Sequence, residues 1–319
     1  MANFLSVTVN VLISKIIEYG DRTTKKALSM VDRRTNAVMS SMVRCIRIFP
    51  PKCFSLRERP LNMPKDVLVK VIRRFPNLGR IIFEPENNYN SFGAEEMPYL
   101  ESLISYLENN PEKHPLNFIK KIQLREITVD EFGRAKELNS RFLGSIGHEE
   151  LEDLRIAAYH LGSALSGVEI QPALKNSPNL KTFVFNGFQT GQTVDLSFES
   201  QHQLTKVKLL HWKGSASTIE SLRNCKALEE LVIHCAEFSP EEIKAALLED
   251  HPWNLKRLEL KGIILKNDAE LDVITQKLPN LERLSVELES ISAEGMEQLG
   301  RNCPKLKVTV QIPLLRRGI

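Results

Sequence analysis

The chain has 319 residues, of which 42% are hydrophobic and 26% charged, and its formal net charge is +3. This hydrophobic share is that of an ordinary globular protein, which excludes disordered, collagen-like and low-complexity classes, and the length allows one to three domains. The five cysteines are widely spaced, and the sequence has no Cys-x-x-Cys pair and no Asn-x-Ser/Thr sequon, which favours a reducing, cytoplasmic location.

The first apolar stretch runs from Phe4 to Ile17 and is interrupted by Asn10 and Lys15. A membrane-spanning helix needs about 20 apolar residues, so this stretch predicts no membrane insertion. No basic segment precedes it and no small-residue cleavage site follows it, so it is not expected to act as a secretory signal.

The first 80 residues form a basic head. They contain 16 Lys and Arg against 5 Asp and Glu, whereas the remaining residues contain 27 against 35. This shift predicts a boundary near residue 75. The basic residues alternate with apolar positions, as on a solvated helix face, and no nucleic-acid-binding motif accompanies them, so no nucleic-acid partner is expected.

Apolar residues in the head recur at helical spacing, which predicts three short helices within residues 9–42. Helices of this total length bury too little surface to be stable alone, so they must pack against the rest of the chain or a partner. The apolar positions are Leu12, Ile13, Ile16 and Ile17, then Ala27, Leu28 and Val31, then Val38, Met39 and Met42.

From residue 76 onward, the pattern L-x-x-L-x-L recurs, with any large apolar residue allowed at its fixed positions. Several copies follow Pro-Asn-Leu, as at Pro178–Leu180 and Pro279–Leu281. Each copy predicts a short strand that cannot bury its apolar face alone, so successive strands must stack. The copies begin at Leu78, Ile119, Leu151, Leu180, Leu204, Leu228, Leu255 and Leu281, with an irregular ninth at Leu306.

Short helices are predicted to return the chain between the strands. Leu100–Leu107 has helical spacing, Ser239–Glu242 has the residues of a helix N-terminus, and Gly187–Gln201 has little helical period and predicts an extended return. Two further helices are expected over 268–277 and 292–300, with Leu271, Ile274, Met296 and Leu299 facing inward.

These repeats resemble the leucine-rich-repeat family over residues 76–311, and the segment from Cys225 to Cys235 is most similar to its cysteine-containing, ribonuclease-inhibitor-like subclass. The resemblance implies an α/β fold: a horseshoe-shaped solenoid with a parallel sheet on its concave side, preceded here by a small helical segment.

The head resembles an F-box. Leu12-Ile13 and Ile16-Ile17 match that motif's two aliphatic pairs, and Val31-x-Arg33 matches its later Val-x-basic step. The resemblance implies an F-box-like segment over 1–48, a linker or cap over 49–75 and about nine repeats over 76–319. It also implies that a Skp-family adaptor, and through it a cullin ubiquitin ligase, binds Leu12, Ile13, Ile16, Ile17, Leu28 and Val31. The alternative is a helical cap that shields the first repeat.

Side chains alternate along a strand, so the residues that flank the later apolar positions of each repeat are expected on the concave face. Ten of them are basic and five acidic, which opposes the negative charge of the body and predicts a protein client with acidic patches. The alternative is that a polar solenoid face carries this balance by chance. The predicted client-binding residues are Arg80, Lys121, Arg125, Arg155, Lys206, Lys208, Arg257, Lys261 and Arg283.

Three aromatic residues lie near strand ends. Phe188 and Trp212 are candidate anchors at the rim of a binding face, because aromatic residues dominate interface energetics. Trp253 precedes Asn254-Leu255 and is expected to pack inside the stack.

No motif predicts catalysis. The seven histidines have no metal-ligand spacing, glycine-rich phosphate loops and the nucleophile elbow are absent, and Cys225 and Cys303 are expected to pack in the core. The sequence therefore predicts a non-catalytic adaptor with no cofactor and no metal. The alternative is an interaction scaffold or inhibitor that has no role in ubiquitin transfer.

Overall fold

The computed structural model describes residues 45–48, 79–83, 108, 119–125, 141–157, 167–187, 193–235, 244–247 and 253–308. The chain forms two compact units, Met1–Arg125 and Glu126–Ile319. The predicted head helices, the six adaptor-binding residues and the boundary near residue 75 lie outside the described residues.

The described residues of the first unit include three short parallel strands: β1 (Cys45–Ile48), β2 (Arg80–Phe83) and β3 (Lys121–Arg125). β2 lies between the other two, with Ile81 aligned to Ile46 on one side and to Ile122 on the other. The repeat pattern predicts β2 and β3. It does not predict β1, which lies at the end of the segment expected to be helical.

The described part of the second unit has seven strands, and each described pairing joins a strand in parallel to the next one along the chain. This confirms the predicted α/β class and the order expected of one strand per repeat. The strands are β4 (Asp153–Ala157), β5 (Thr182–Asn186), β6 (Lys206–Trp212), β7 (Glu230–Cys235), β8 (Arg257–Leu265), β9 (Arg283–Leu288) and β10 (Lys307–Val308).

The core of the second unit consists of the apolar positions of the repeats. In β5, Phe183 and Phe185 are fully buried, while the residues between and beside them are partly exposed. The leading Leu of each repeat is buried as well, as at Leu180 and Leu204. Burying one such side chain contributes about 1.5 to 3 kcal/mol, so the periodic apolar residues hold the strands together.

Four helices of the second unit are described over their full length: α1 (Gly167–Lys175), α2 (Ala216–Leu222), α3 (Asp268–Gln276) and α4 (Ala293–Asn302). Residues 141–146 and 244–247 are also helical. None of the helices in the described part of the chain has the length and apolar character needed to cross a bilayer.

Side-chain caps start the last two helices close to where the sequence predicts them. The Asn267 side chain accepts a hydrogen bond from the backbone N–H of Glu270 at the start of α3, and Ser292 accepts one from Gly295 at the start of α4. Leu271 and Leu299 are buried as predicted. The inward orientation predicted for Met296 is wrong, because this side chain is 41% exposed and Gly295 takes the buried position.

The predicted extended return is confirmed over residues 193–198, which have no helix. Gln171 of α1 binds the backbone of Ser197 twice, accepting from its N–H at 2.9 Å and donating to its C=O at 2.8 Å. Thr218 of α2 accepts a hydrogen bond from the N–H of Leu196 at 2.9 Å. The return therefore joins two helices, and its Phe198 packs edge-on against Phe183 with ring centroids 5.5 Å apart.

Polar side chains connect successive repeats at the lead-in to each strand. Asn179 donates to the C=O of Glu149 and accepts from Gln203, so it bridges the repeats before and after its own. The buried Sγ atom of Cys303 lies 3.3 Å from the C=O of Leu278 in the preceding repeat. These contacts explain why a polar residue recurs before the leading Leu and why a small donor suits the position of Cys303.

Candidate functional site

The second unit has a sheet face on which the polar strand residues lie, opposite the buried apolar positions. We call it the open face. Strand register aligns its side chains in rows that cross the strands. The first row is Asp153, Thr182, Lys206, Glu230, Arg257, Arg283 and Lys307, and the second row is Arg155, Val184, Lys208, Val232, Glu259 and Ser285.

Glu230 is the centre of an ion-pair network on the open face. Its carboxylate oxygens lie 2.7 Å from Lys206 Nζ, 3.2 Å from Lys208 Nζ and 3.1 Å from Arg257 Nη1. Burial alone would raise the pKa of this carboxyl, but the hydrogen bonds from the two lysines outweigh burial and hold the pKa below its ordinary value. One carboxylate thus neutralises part of the charge of three cations.

Glu259 extends this network on β8. Its oxygens lie 2.7 Å from Arg257 Nη2 and 2.9 Å from His234 Nε2. Burial raises the pKa of Glu259, and the hydrogen bonds from His234 and Arg257 more than compensate, so the net shift is downward. Arg257 therefore contacts both carboxylates and is held in place by them. We refer to Lys206, Lys208, Glu230, Arg257, Glu259 and His234 as the central network.

The structure places the predicted client-binding residues of the second unit in two groups. Lys206, Lys208 and Arg257 belong to the central network, and Arg155 forms a two-pronged pair with Asp153 at 2.8 and 2.9 Å. The hydrogen bonds that Arg155 donates to the Asp153 carboxylate raise the pKa of Arg155 above its ordinary value. Side-chain alternation cannot reveal such pairing, because it predicts which face a residue lies on and not what that residue contacts.

Lys261 on β8 and Arg283 on β9 form the other group. Both are exposed, and neither forms an ion pair with any residue in the described part of the chain. In the first unit, Arg80 and Lys121 are aligned on the neighbouring strands β2 and β3, and Arg125 ends β3.

His211 is an open-face residue that sequence reasoning misses. A bulge between Leu209 and Trp212 shifts the register of β6 and leaves His211 exposed with a φ of 47°. Its Nδ1 atom lies 3.0 Å from Oδ1 of Asn186. Burial, then the positive charges of His234 and Lys261, lower the pKa of His211. Nothing in the apolar spacing indicates the bulge, so the alternation pattern cannot place this side chain.

The two aromatic residues that are described do not anchor a rim. Trp212 is fully buried, and its Nε1–H donates to the C=O of Val194 at 2.7 Å. The expectation that it serves as a rim anchor is wrong, because the bulge of β6 turns the indole into the core. The packing role predicted for Trp253 is confirmed by its exposure of 8%, and Phe188 lies outside the described residues.

The three cysteines whose side chains are described, Cys225, Cys235 and Cys303, are unsuited to nucleophilic chemistry. Burial raises the pKa of Cys225 to about 12 and the pKa of Cys235 and Cys303 to about 11. These groups are therefore thiols at neutral pH, whereas the thiolate is the reactive form. The core packing predicted for Cys225 and Cys303 is confirmed, since both are buried. No group of three His, Cys, Asp or Glu side chains among the described residues could hold a metal ion.

The central network predicts a pH dependence of stability. The pKa values of Glu230 and Glu259 are lower in the folded protein than their ordinary value of 4.5. The network therefore stabilises the fold fully at pH values above 4.5, and this stabilisation is lost as the pH falls through the lowered pKa values. We expect the double variant Glu230→Gln, Glu259→Gln to lose roughly 1 to 3 kcal/mol of unfolding free energy near neutral pH. Urea unfolding between about pH 3 and 7 measures the difference, which should shrink toward the acid end.

The matched control is Glu297→Gln, which removes a carboxylate from an exposed pair with Arg301 whose side chains are 69% and 65% exposed. This variant should lose about 0.5 kcal/mol or less of unfolding free energy at every pH in the same range. The double variant and the unchanged protein could instead differ by the same unfolding free energy at every pH. That result would contradict the stabilising role assigned to the ionised Glu230 and Glu259.

No protein-family model matches the sequence. Among solved structures, the chain is similar to a chain of the yeast Rad7–Elc1 complex, with a TM-score of 0.43 and 12% identity over 78% of this chain and 66% of that one. It is also similar to a chain of the Drosophila Toll–Spätzle complex, with a TM-score of 0.39 and 10% identity over 89% and 29% of the two chains. The third similarity is to a chain of the TLR13–ssRNA13 complex, with a TM-score of 0.39 and 14% identity over 76% and 33%.

Proposed function

We propose that the protein is a non-catalytic adaptor of the leucine-rich-repeat type, which holds a protein client on the open face of its second unit. The observation that supports this proposal best is the broad polar face of seven parallel strands with its central network. Stacked repeats create extended binding surfaces because each adds one strand to the same sheet.

The central network prepares this face for binding. Lys206 and Lys208 are 32% and 23% exposed, so their charges reach solvent while Glu230 restrains their side chains. A side chain that is already ordered loses less conformational entropy when a partner binds. The same charges fix the orientation of a partner, because only a surface of complementary charge pattern avoids repulsion. The face is therefore suited to selective protein binding.

The proposed route of action is proximity. The F-box-like head would bind a Skp-family adaptor of a cullin ubiquitin ligase, and the open face would hold the client while other subunits transfer ubiquitin. The support for the adaptor contact is the pair of aliphatic doublets Leu12-Ile13 and Ile16-Ile17 in a head that is too short to bury them alone.

The test is co-purification of the full chain with a Skp-family adaptor. The double variant Ile16→Asp, Ile17→Asp should lose about 3 to 6 kcal/mol of binding free energy, or at least about a hundredfold in affinity, if both side chains are buried in the contact. The far-UV circular dichroism of the repeats should not change.

The control variant Thr23→Asp, Thr24→Asp adds the same charge within the head but outside the aliphatic doublets, and it should bind as well as the unchanged protein. Equal recovery of the adaptor by all three proteins would reject the F-box proposal. The scaffold or inhibitor without a ubiquitin role would then be the better assignment.

A further inference from the structure

The first row of the open face ends in three cations on successive strands: Arg257 on β8, Arg283 on β9 and Lys307 on β10. We call them the cationic row. Register aligns Arg283 with Arg257 on one side and with Lys307 on the other. Neighbouring strands lie about 4.8 Å apart, so three positive side chains leave the same face within roughly 10 Å.

Two members of the cationic row lack a counter-charge. Arg257 is held by Glu230 and Glu259, whereas Arg283 and Lys307 are exposed and form no ion pair with any residue that the structure describes. Like charges on directly neighbouring strand positions destabilise a sheet. The fold therefore keeps an unfavourable pair that a bound anion would relieve.

Every other cation in the first and second rows of the open face has a carboxylate partner. Arg155 has Asp153 as a partner, and Lys206 has Glu230. Residues 298–319 contain no Asp or Glu at all. The stretch of chain from residue 298 onward thus offers no carboxylate side chain that could neutralise Arg283 and Lys307.

We propose that the cationic row binds an acidic segment of a protein client, with two or more neighbouring Asp or Glu side chains. This inference rests on the proposed function, because it names the chemistry of the client that the open face holds. The Arg283 guanidinium can take a carboxylate in a two-pronged geometry, and Lys307 can take the next one as a point charge. Arg257 lies beside them in the same row, but its charge is already compensated by Glu230 and Glu259, so Arg283 and Lys307 are the anion-binding members of the row.

Peptide carboxylates match the cationic row better than a nucleic acid does. Proteins that bind single-stranded nucleic acid stack bases on aromatic side chains beside a long basic groove. The first and second rows contain no Phe, Tyr or Trp, and the cations of these two rows that have no carboxylate partner among the described residues, Arg283 and Lys307, lie on the neighbouring strands β9 and β10. A short run of carboxylates fits this geometry.

The test is fluorescence anisotropy of a labelled octapeptide of Asp and Glu titrated with the full chain at low salt. The double variant Arg283→Gln, Lys307→Gln should bind about tenfold or more weakly than the unchanged protein. Its stability should be equal or higher, because the substitutions remove a like-charge pair. The control variant Lys175→Gln, Lys226→Gln makes the same change in net charge at exposed positions outside the strands, and it should bind as the unchanged protein does.

Three outcomes would overturn the proposal. In the first, the unchanged protein does not bind the acidic peptide. In the second, both double variants lose the same peptide affinity. In the third, a single-stranded RNA oligonucleotide competes with the peptide at the same residues and binds more tightly. The result is separable from the proposed function, because the Ile16 and Ile17 variant should still bind the peptide. Adaptor binding without peptide binding would reject only the cationic-row inference.

Discussion

Replacing Trp212 by Ala will lower the free energy of unfolding by about 3 to 5 kcal/mol, which is the typical cost of removing a buried Trp side chain. The indole is fully buried and also satisfies the C=O of Val194 at 2.7 Å. The space beside it is closed, because a methyl group at Gly214 would lie 1.9 Å from the indole ring. Urea unfolding followed by far-UV circular dichroism measures the loss.

Trp212→Phe is the matched variant. It keeps an aromatic ring in the core but leaves the C=O of Val194 without the indole donor, so it should cost less than Trp212→Ala and more than about 1 kcal/mol. Neither ring reaches the open face, so Trp212→Phe should bind the acidic octapeptide with unchanged affinity. If Trp212→Phe is as stable as the unchanged protein but does not bind the peptide, Trp212 contacts the partner at the rim after all.

The strands of the second unit follow from the sequence because burial and alternation are local properties. Each apolar position that the repeat places in the core at Phe183, Phe185, Val207 and Leu209 is fully buried. The side of the sheet on which Lys206 and Lys208 lie follows from the same period. A short-range pattern is sufficient wherever one residue's environment repeats in the next unit.

The charge distribution of the open face could not be derived in the same way. The network joins Lys206 to Glu230 and Glu230 to Arg257, which are 24 and 27 residues apart in the chain. The repeat pattern aligns the strands in the observed register, with Val207 beside Leu231 and Leu231 beside Leu258, but it does not give the side-chain conformations that decide which charges meet. A bulge of one residue in β6 also moves Trp212 inward and His211 outward. Both errors of sequence reasoning at this site have that one cause.

The cations at the centre of the open face are already paired with carboxylates, so an acidic partner gains most from the cations at its end that have no ion pair among the described residues. Lys206, Lys208 and Arg257 already share the carboxylate of Glu230, so an incoming acidic group there competes with an existing pair. At Arg283 and Lys307 it competes only with water. Salt should therefore lower the affinity for an acidic partner mainly by screening these two exposed cations.

Replacing Gly167 by Ala will destabilise the second unit by about 3 kcal/mol or more, because overpacking here involves backbone atoms. Gly167 is the first residue of α1, and a methyl group on it would lie 1.6 Å from the C=O oxygen of Asp195. The only relief is to move α1 away from the extended return. That movement would break the double hydrogen bond between Gln171 and Ser197, at 2.8 and 2.9 Å.

Gly300→Ala is the control for this prediction. Gly300 lies within α4, it is exposed, and no atom lies within 4 Å of a methyl group placed on it. Alanine is the better helix former by about 0.5 to 1 kcal/mol, so this variant should be slightly more stable than the unchanged protein. Urea midpoints measured side by side should thus move in opposite directions for the same chemical change. If Gly167→Ala and the unchanged protein have the same urea midpoint, the close contact between Gly167 and the C=O of Asp195 is contradicted.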